Sequence, residues 1–178
     1  FLAKNMRLIP YSSRAYPDKL THIAQPPYAI FCKGAMPDAR KSVGIVGARM
    51  CSEYGRSIAT KLGKLLADKD VQVISGMALG IDSASHAGAL QGKGSTFAVL
   101  GCGCDVCYPK NARNLYENIQ SSGGGILSEY PPGTEPMPYR FPERNRIISA
   151  LSDCLVVVEA KKKSGSLITA DAALEQGK

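Results

Sequence analysis

A small-residue turn that follows a run of lysines is the strongest candidate for a ligand site. Lys161, Lys162 and Lys163 lead into Ser164-Gly165-Ser166 and on to Thr169, at the predicted start of a helix. Free N–H groups at a helix start favour an anion, hydroxyls donate to phosphate, and lysines add longer-range attraction. The alternative is an ordinary turn with a serine cap and a solvated lysine run. We expect a phosphate to bind here.

A second cluster combines an aromatic ring with cationic side chains. It consists of Phe141, Pro142, Glu143, Arg144, Asn145 and Arg146. Arginines and helix-start amides hold phosphate, and a nucleic-acid base can stack on Phe141. The alternative is that Phe141 fills the core and that Arg144 or Arg146 pairs with Glu129 or Glu143. The interleaved arrangement is typical of single-strand binding.

Other candidates follow two predicted strands directly. Gly47 permits a tight turn from which Arg49 projects its guanidinium, and the next strand ends in Ser75 and Gly76. In an open parallel sheet, ligands bind beyond the carboxyl ends of the strands. We therefore expect these residues to share one edge with the lysine-rich turn.

Several chemistries are disfavoured at this edge. The segment from Gly44 to Arg49 lacks the G-x-G-x-x-G spacing of a dinucleotide site, and no acid ends the second strand. Cys102, Cys104 and Cys107 offer thiols at irregular spacing, with neither a second cysteine pair nor a nearby histidine. We predict no cofactor and no metal.

The Asp82 and His86 pair and the acidic residue Glu159 are candidates for catalysis. Asp82 and His86 share a helix face and could act as acid and base, although an N-cap and a locally bonded packing histidine is the favoured interpretation. Glu159 ends the fifth strand at the ligand edge, where it could act chemically or orient Arg49 or a lysine.

Short apolar runs alternate with helical patterns and predict the elements that position these residues. The runs are Val43 to Val46, Val71 to Ser75, Thr96 to Leu100, Gly125 to Ser128 and Cys154 to Glu159. The predicted helices are Ser52 to Leu66, Asp82 to Leu90, Asn111 to Gln120, Arg144 to Leu151 and Ser166 to Glu175. Uniformly apolar strands are buried on both faces, as in parallel sheets covered by helices. The sequence therefore predicts an α/β fold with an extended Rossmann-like, doubly wound parallel sheet.

The first 40 residues differ in composition from the rest. They are rich in proline and contain one predicted strand, Tyr28 to Cys32. We expect residues 1–40 to form a short N-terminal extension packed on the sheet, and residues 41–178 to form the Rossmann-like domain. The stretch from Tyr130 to Pro142 holds five prolines and is predicted to be a stiff loop, neither helix nor central strand.

Composition agrees with a polyanionic partner. The 178 residues contain 22 Lys and Arg against 15 Asp and Glu, for a net charge of +7, which favours nucleic acid. The six cysteines, with no signal peptide before them, indicate the reducing cytoplasm. No apolar run is long enough for a membrane span. The unfinished C-terminal helix and the absence of an initial Met suggest a fragment of a longer protein.

Motifs along nearly the whole chain resemble the DNA processing protein A family (DprA, or Smf). They are Tyr16-Pro17 with Leu20, Val43 to Arg49, Ser75 to Asp82 with Ala84 and His86, Ala98 to Gly101 with Asp105 and Tyr108-Pro109, Ser128-Glu129, Phe141 to Ile148, and Glu159-Ala160 with Ser164 to Ala170. Ala48 departs from the family pattern, in which Ser is common. The arginines are unaffected by this departure.

The resemblance implies a non-enzymatic protein that binds single-stranded DNA in a basic pocket. It implies protection of incoming DNA, help in loading the RecA recombinase during natural transformation, and a homodimer in the full-length protein. By motif, the implied DNA contacts are Arg49, Phe141, Arg144, Asn145, Arg146, Ser164, Gly165, Ser166 and Thr169, with Lys110, Ser75 and Gly76 as weaker candidates.

An enzyme of the same topology is the alternative. Nucleotide phosphoribohydrolases of the lysine-decarboxylase-like group use an Arg and a Glu beside a Pro-Gly-Gly-x-Gly-Thr turn. Here the corresponding turn is Ser164 to Thr169, which lacks that signature. The sequence therefore favours a binding protein.

Overall fold

The computed structural model describes residues 5–178, so residues 1–4 of the predicted N-terminal extension lie outside the described part. The strands are β1 (Met6–Pro10), β2 (Ala29–Gly34), β3 (Ser42–Val46), β4 (Gln72–Ser75), β5 (Thr96–Val99), β6 (Gly125–Ser128) and β7 (Cys154–Val157). The helices are α1 (Asp18–Thr21), α2 (Glu53–Asp68), α3 (Ile81–Ala89), α4 (Arg113–Ser121), α5 (Arg140–Leu151) and α6 (Gly165–Glu175), with a short 3-10 helix at Lys110–Ala112. The five predicted parallel strands and their helices are all present, with ends shifted by a few residues.

The strands form one mixed sheet in the order β1-β2-β6-β5-β4-β3-β7. Neighbouring strands from β6 to β7 are parallel, which confirms the doubly wound Rossmann-like prediction. The chain runs outward from β3 through β4 and β5 to β6, and then returns to place β7 on the other side of β3. The carboxyl ends of β3 and β7 therefore flank the switch point, where ligands bind in open α/β sheets.

Side chains from the central strands alternate between two cores. Val46 and Ile74 pack in a cluster with Ile148 of α5, whereas Ile45 and Val73 pack with residues of α2 and α3. This alternation follows from the pleat of a strand, and it fixes α5 on one face and α2 with α3 on the other. The positions of the loops above the strands follow from this arrangement.

Strand β7 departs from the predicted burial. We expected this apolar strand to be covered on both faces, but Cys154 is exposed and the other three residues are half-buried. The reason is its position at the edge of the sheet, where β3 is its strand neighbour within residues 5–178.

The N-terminal segment extends the sheet. The predicted strand at residues 28–32 is β2, which pairs antiparallel with β6, and β1, which was not predicted, pairs antiparallel with β2. Between them, Tyr16 is buried and its hydroxyl donates to the carbonyl of Pro27 at 2.7 Å. Burial raises the pKa of Tyr16 to about 12, with the neighbouring Tyr11 ring adding to the effect. Residues 6–34 are thereby joined to the same core as α5.

The proline-rich stretch ends earlier than predicted. Helix α5 begins at Arg140, so Phe141 and Pro142 lie in its first turn, and the expectation that no helix forms before Pro142 is wrong. A proline is tolerated in the first turn because the N–H it lacks would have no partner within the helix. The early start places Phe141 on the helix itself.

The helices carry polar faces. Helix α2 buries Ala59 and Ala67 and exposes Lys61 and Lys64 on its opposite side. In residues 5–178, no helix is both long enough and apolar enough to cross a lipid bilayer.

Candidate nucleic-acid interface

The main cavity lies at the switch point of the sheet, between the loops that follow β3 and β7 and beside the start of α5. Its volume is about 370 Å³. The predicted site residues that line it are Arg49, Phe141, Arg144, Asn145, Ser164, Gly165, Ser166 and Thr169. The structure thus brings the lysine-rich turn, Arg49 and the aromatic and basic cluster together, as the shared sheet edge predicted.

The turn before α6 leaves its helix start open. Ser164 is the N-cap, yet its side chain does not cap the helix, and its Oγ lies 2.7 Å from the Oγ of Ser166. A Cβ added to Gly165 would meet no heavy atom within 4 Å, so the space before this turn is free. The exposed Lys161 and Lys163 line the same cavity. Helix-start N–H groups, hydroxyls and two ammonium groups suit a phosphate.

The start of α2, at the same edge, already holds a carboxylate. Glu159 accepts hydrogen bonds from the N–H of Ser52 at 3.0 and 3.1 Å and from its hydroxyl at 2.7 Å. The Oγ of Ser52 in turn accepts from the N–H of Gly55 at 3.0 Å, which caps the helix. Glu159 therefore fixes the loop that carries Arg49. The predicted alternative, in which Glu159 orients Arg49 or a lysine directly, is not found among residues 5–178.

The amides between β4 and α3 also hold a carboxylate. Asp82 lies in the first turn of α3 and does not cap the helix, whose N-cap is Gly80, so the predicted N-cap at Asp82 is wrong. Asp82 is 6% exposed, and its Oδ2 accepts from the N–H of Gly76 at 3.2 Å. Burial raises the pKa of Asp82 to about 6, against opposing effects of Arg144 and of the amides of Ala78, Gly76 and Gly47. This carboxylate occupies the amides that an external anion would need.

Arg144 supports the floor of the cavity. It is 5% exposed, and its Nη1 donates to the carbonyls of Gly76, at 3.1 Å, and of Val99. Burial lowers the pKa of Arg144, while Asp82 raises it. A Cβ built on Gly76 would lie 2.8 Å from both Asp82 Oδ2 and Arg144 Nη2, so the two charges face each other across this glycine. Arg144 thus joins the ends of β4 and β5.

Asn145 connects α5 to the lysine-rich turn. Its Nδ2 donates to the carbonyl of Gly165 at 3.2 Å, and its Oδ1 accepts from Nε of Arg144 at 3.2 Å. Ser166 and Thr169 are buried beneath the turn, 8% and 1% exposed. These contacts hold the open helix start in place against α5.

An aromatic and cationic stack forms one wall. The guanidinium of Arg49 lies 5.4 Å from the ring centroid of Phe141, and Tyr108 stacks on Phe141 with centroids 5.4 Å apart and planes at 21°. Phe141 is half-buried, so it does not plug the core. A smaller cavity of about 60 Å³ adjoins this stack and is lined by Gly76, Tyr108 and Arg144 among others.

Four predicted site residues lie outside the main cavity. The hydroxyl of Ser75 is buried and donates to the carbonyl of Ile45 at 2.5 Å. Arg146 makes a bidentate ion pair with Glu129, with both distances 2.7 Å. Lys110 is exposed at the start of the 3-10 helix, next to the Pro109 that lines the smaller cavity. Gly76 lines the smaller cavity but not the main one.

The predicted acid and base pair has local partners. Nδ1 of His86 lies 2.7 Å from the hydroxyl of Thr96, and burial lowers the pKa of His86 to about 3. The imidazole is therefore a neutral core group, and it does not line either cavity. This arrangement agrees with the favoured interpretation of a packing histidine.

The clustered cysteines are core residues. Cys102, Cys104 and Cys107 belong to the cluster that packs beneath α4, and the thiol of Cys104 contacts Met6 Sδ at 3.5 Å. Burial raises the pKa of Cys102 to about 11 and that of Cys104 to about 12. Within residues 5–178, no three His, Cys, Asp or Glu side chains are grouped so that they could hold a metal ion.

One residue in each cavity was not predicted as a site residue. Tyr108 was noted only as part of a motif, although it stacks on Phe141, and Met50 lines the cavity beside Arg49. The Tyr108-Pro109 motif gave a signal, because it follows β5, which ends at the same edge. Met50 carried no such signal.

The family model for DNA recombination-mediator protein A matches residues 7–178. The chain is 42% identical to DNA processing protein DprA of Bacillus subtilis over 98% of this chain and 59% of that protein. It is 41% identical to protein Smf of Escherichia coli, over 98% of this chain and 47% of that protein. The chain therefore spans about half the length of these curated relatives.

Solved structures agree. DNA processing protein A from Streptococcus pneumoniae superposes with a TM-score of 0.89 and 38% identity, over 99% of this chain and 63% of that one. The structure of DNA processing protein A from Helicobacter pylori concerns its single-stranded DNA binding mode. It superposes with a TM-score of 0.83 and 29% identity, over 97% of this chain and 78% of that one. A molybdenum cofactor carrier protein from Chlamydomonas reinhardtii shares the fold alone. Its TM-score is 0.55 at 20% identity, over 78% of this chain and 73% of that one. The chain belongs to the DNA recombination-mediator protein A family.

Proposed function

We propose that the cavity between the ends of β3 and β7 binds single-stranded DNA without sequence preference. The observation that carries this proposal is the union, in one cavity, of an uncapped helix start, the cations Arg49, Lys161 and Lys163, and the ring of Phe141. A nucleotide chain offers a phosphate and a base within a few ångströms of each other, and this cavity has a partner for each.

The proposed contacts divide by chemistry. Phosphate oxygens accept hydrogen bonds at the α6 turn, and bases stack against the wall. The residues assigned to direct contact or to the turn itself are Arg49, Phe141, Asn145, Ser164, Gly165, Ser166 and Thr169. Arg144, Ser75 and Gly76 hold the floor through their bonds within the sheet edge. Arg146 acts through its ion pair with Glu129, and Lys110 is a peripheral contact beside the smaller cavity.

The geometry favours single strands over duplex. Phe141 is half-buried in a concave wall, so a base reaches it only when it is neither paired nor stacked in a helix. Recognition through phosphates and ring faces depends little on base identity. Binding is therefore expected to weaken steeply with salt and to vary little between sequences.

We propose that the protein binds without catalysis. The acids nearest the cavity are committed to loop structure, since Glu159 binds Ser52 and Asp82 binds Gly76. A nucleotide phosphoribohydrolase would need a free acid at the sugar. Incubation with AMP should release no adenine, and release of adenine with ribose 5-phosphate would contradict this part of the proposal.

The wider role follows from family membership. We propose a cytoplasmic recombination mediator that protects incoming single strands, helps to load RecA in natural transformation, and forms a homodimer in the full-length protein. The support is the match to DNA recombination-mediator protein A along residues 7–178.

A titration of labelled oligo-dT against duplex, at two ionic strengths, tests the proposal. Wild type should prefer oligo-dT and lose affinity as salt rises. Phe141→Ala should weaken binding by about 1–3 kcal/mol without changing the salt dependence, because stacking releases no counterions. Tyr139→Ala, an exposed neighbour outside both cavities, is the control. Equal affinity for duplex and oligo-dT would contradict the proposal.

A further inference from the structure

An acidic side chain lies at the floor of the cavity proposed to bind a polyanion. Asp82 lines the main cavity, and its carboxylate is almost completely buried. A buried carboxylate carries a desolvation cost, and its negative charge repels phosphate, so its presence here needs a reason.

The groups that surround Asp82 indicate that reason. Its carboxylate accepts a hydrogen bond from the N–H of Gly76 at 3.2 Å, and the amides of Ala78 and Gly47 also lower its pKa. These three amides lie just beyond the carboxyl ends of β3 and β4. In nucleotide-binding sheets of this topology, amides at strand ends and helix starts hold the phosphates of the ligand. Here a side chain of the protein takes the position of such a phosphate.

We propose that Asp82 determines the specificity of the site by acting as an internal anion, which closes the amide cradle above β3 and β4 and confines DNA phosphates to the α6 turn. This inference rests on the proposed function of the cavity. Asp82 is a positioning residue in this account, because it acts on the DNA through the amides and through Arg144.

The charges around Asp82 make its protonation consequential. Arg144 faces it from α5, the amides face it from the β3 and β4 loops, and His86 on its own helix is neutral. Since burial raises the pKa of Asp82 to about 6, a fall in pH from 7.5 to 5 shifts the carboxylate toward its neutral form. Loss of this negative charge leaves Arg144 unopposed beneath the cavity, so phosphate binding should strengthen as the pH falls.

The first experiment needs no change at Asp82. Oligo-dT affinity is measured at pH 5 and pH 7.5 at constant ionic strength, because neither thymine nor a phosphodiester titrates in this range. A His22→Gln background removes the exposed histidine at the C-cap of α1, which lies outside both cavities. Affinity should be about fivefold higher at pH 5. Binding that is equal at both values overturns the inference alone, whereas no binding at either value overturns the proposed function as well.

The second experiment locates the phosphates. In ¹⁵N spectra of wild type at pH 7.5, oligo-dT should shift the amides of Gly165 and Ser166 and leave those of Gly47 and Gly76 unmoved. In Asp82→Asn, oligo-dT should shift all four amides, and the affinity should no longer depend on pH. Glu117→Gln removes an exposed carboxylate on α4 and should behave as wild type. Wild-type shifts at Gly76 as large as those at Gly165 would overturn the inference.

Discussion

Two groups of backbone amides at the carboxyl edge of the sheet are held by carboxylates of the protein, whereas the start of α6 holds only hydroxyls among the described residues. Glu159 binds Ser52 at the start of α2, and Asp82 binds the amide of Gly76 after β4, while the hydroxyls of Ser164 and Ser166 bond to each other. An acidic side chain therefore decides whether amides at this edge form a structural contact or an open anion site.

The cations beside Asp82 and those beside the α6 turn also differ in their burial and bonding. Arg144 is buried beside Asp82 and is bonded to backbone carbonyls, whereas Lys161 and Lys163 are exposed beside the open turn. A buried, bonded arginine contributes to the fold, and an exposed lysine attracts a ligand. Charge alone does not distinguish these roles, because burial and bonding partners decide between them.

The largest expected effect concerns the buried pair of Arg144 and Asp82 beneath the cavity. Arg144→Ala should lower the free energy of unfolding by about 3–5 kcal/mol, because it leaves Asp82 as a buried charge without its partner. Arg113→Ala breaks an exposed pair on α4 and should cost less than about 1 kcal/mol. Urea denaturation measures both. A variant at Arg144 with wild-type stability would show that this arginine does not support the floor.

Substitutions beside the open α6 turn should change DNA binding rather than stability. Lys161→Ala/Lys163→Ala should lower the slope of log affinity against log salt by about 1.4, since each phosphate contact on a single strand contributes about 0.7. Its stability should stay within about 0.5 kcal/mol of wild type. Lys61→Ala/Lys69→Ala removes the same charge from exposed sites on α2 and at its C-cap. If this control double variant changed the slope equally, net charge rather than location would govern binding.

The smallest expected effect comes from a comparison of two serines, Ser52 at the start of α2 and Ser164 at the start of α6. Ser52→Ala should cost about 1 kcal/mol of stability, because its Oγ caps α2 through Gly55. Ser164→Ala should cost less than about 0.5 kcal/mol, because its hydroxyl caps nothing, and it should weaken oligo-dT binding a few-fold. Thermal unfolding and titration separate the two serines. Equal losses of stability would indicate that both turns have the same role.

The sheet and the shared edge could be predicted because apolar runs such as Val43 to Val46 admit few other structures. The grouping of Arg49 with the Ser164 turn followed from topology, since β3 and β7 end side by side. The pattern of β1 gave no comparable signal, because its burial alternates irregularly and, within residues 5–178, it pairs only with β2.

The separate roles of the arginines could not be predicted. Arg144 and Arg146 are two residues apart, yet one lies beneath the cavity and the other pairs with Glu129. That distinction depends on the direction of each side chain from α5 and on partners distant in sequence. The internal bonds of Asp82 likewise depend on loops brought together only by the fold.

A crystal structure of the protein with a short oligo-dT would show where the phosphates and bases lie. We expect a phosphate at the start of α6, within hydrogen-bond distance of its N–H groups, and a thymine against Phe141. A strand bound on another surface, with the cavity between β3 and β7 unoccupied, would contradict this expectation.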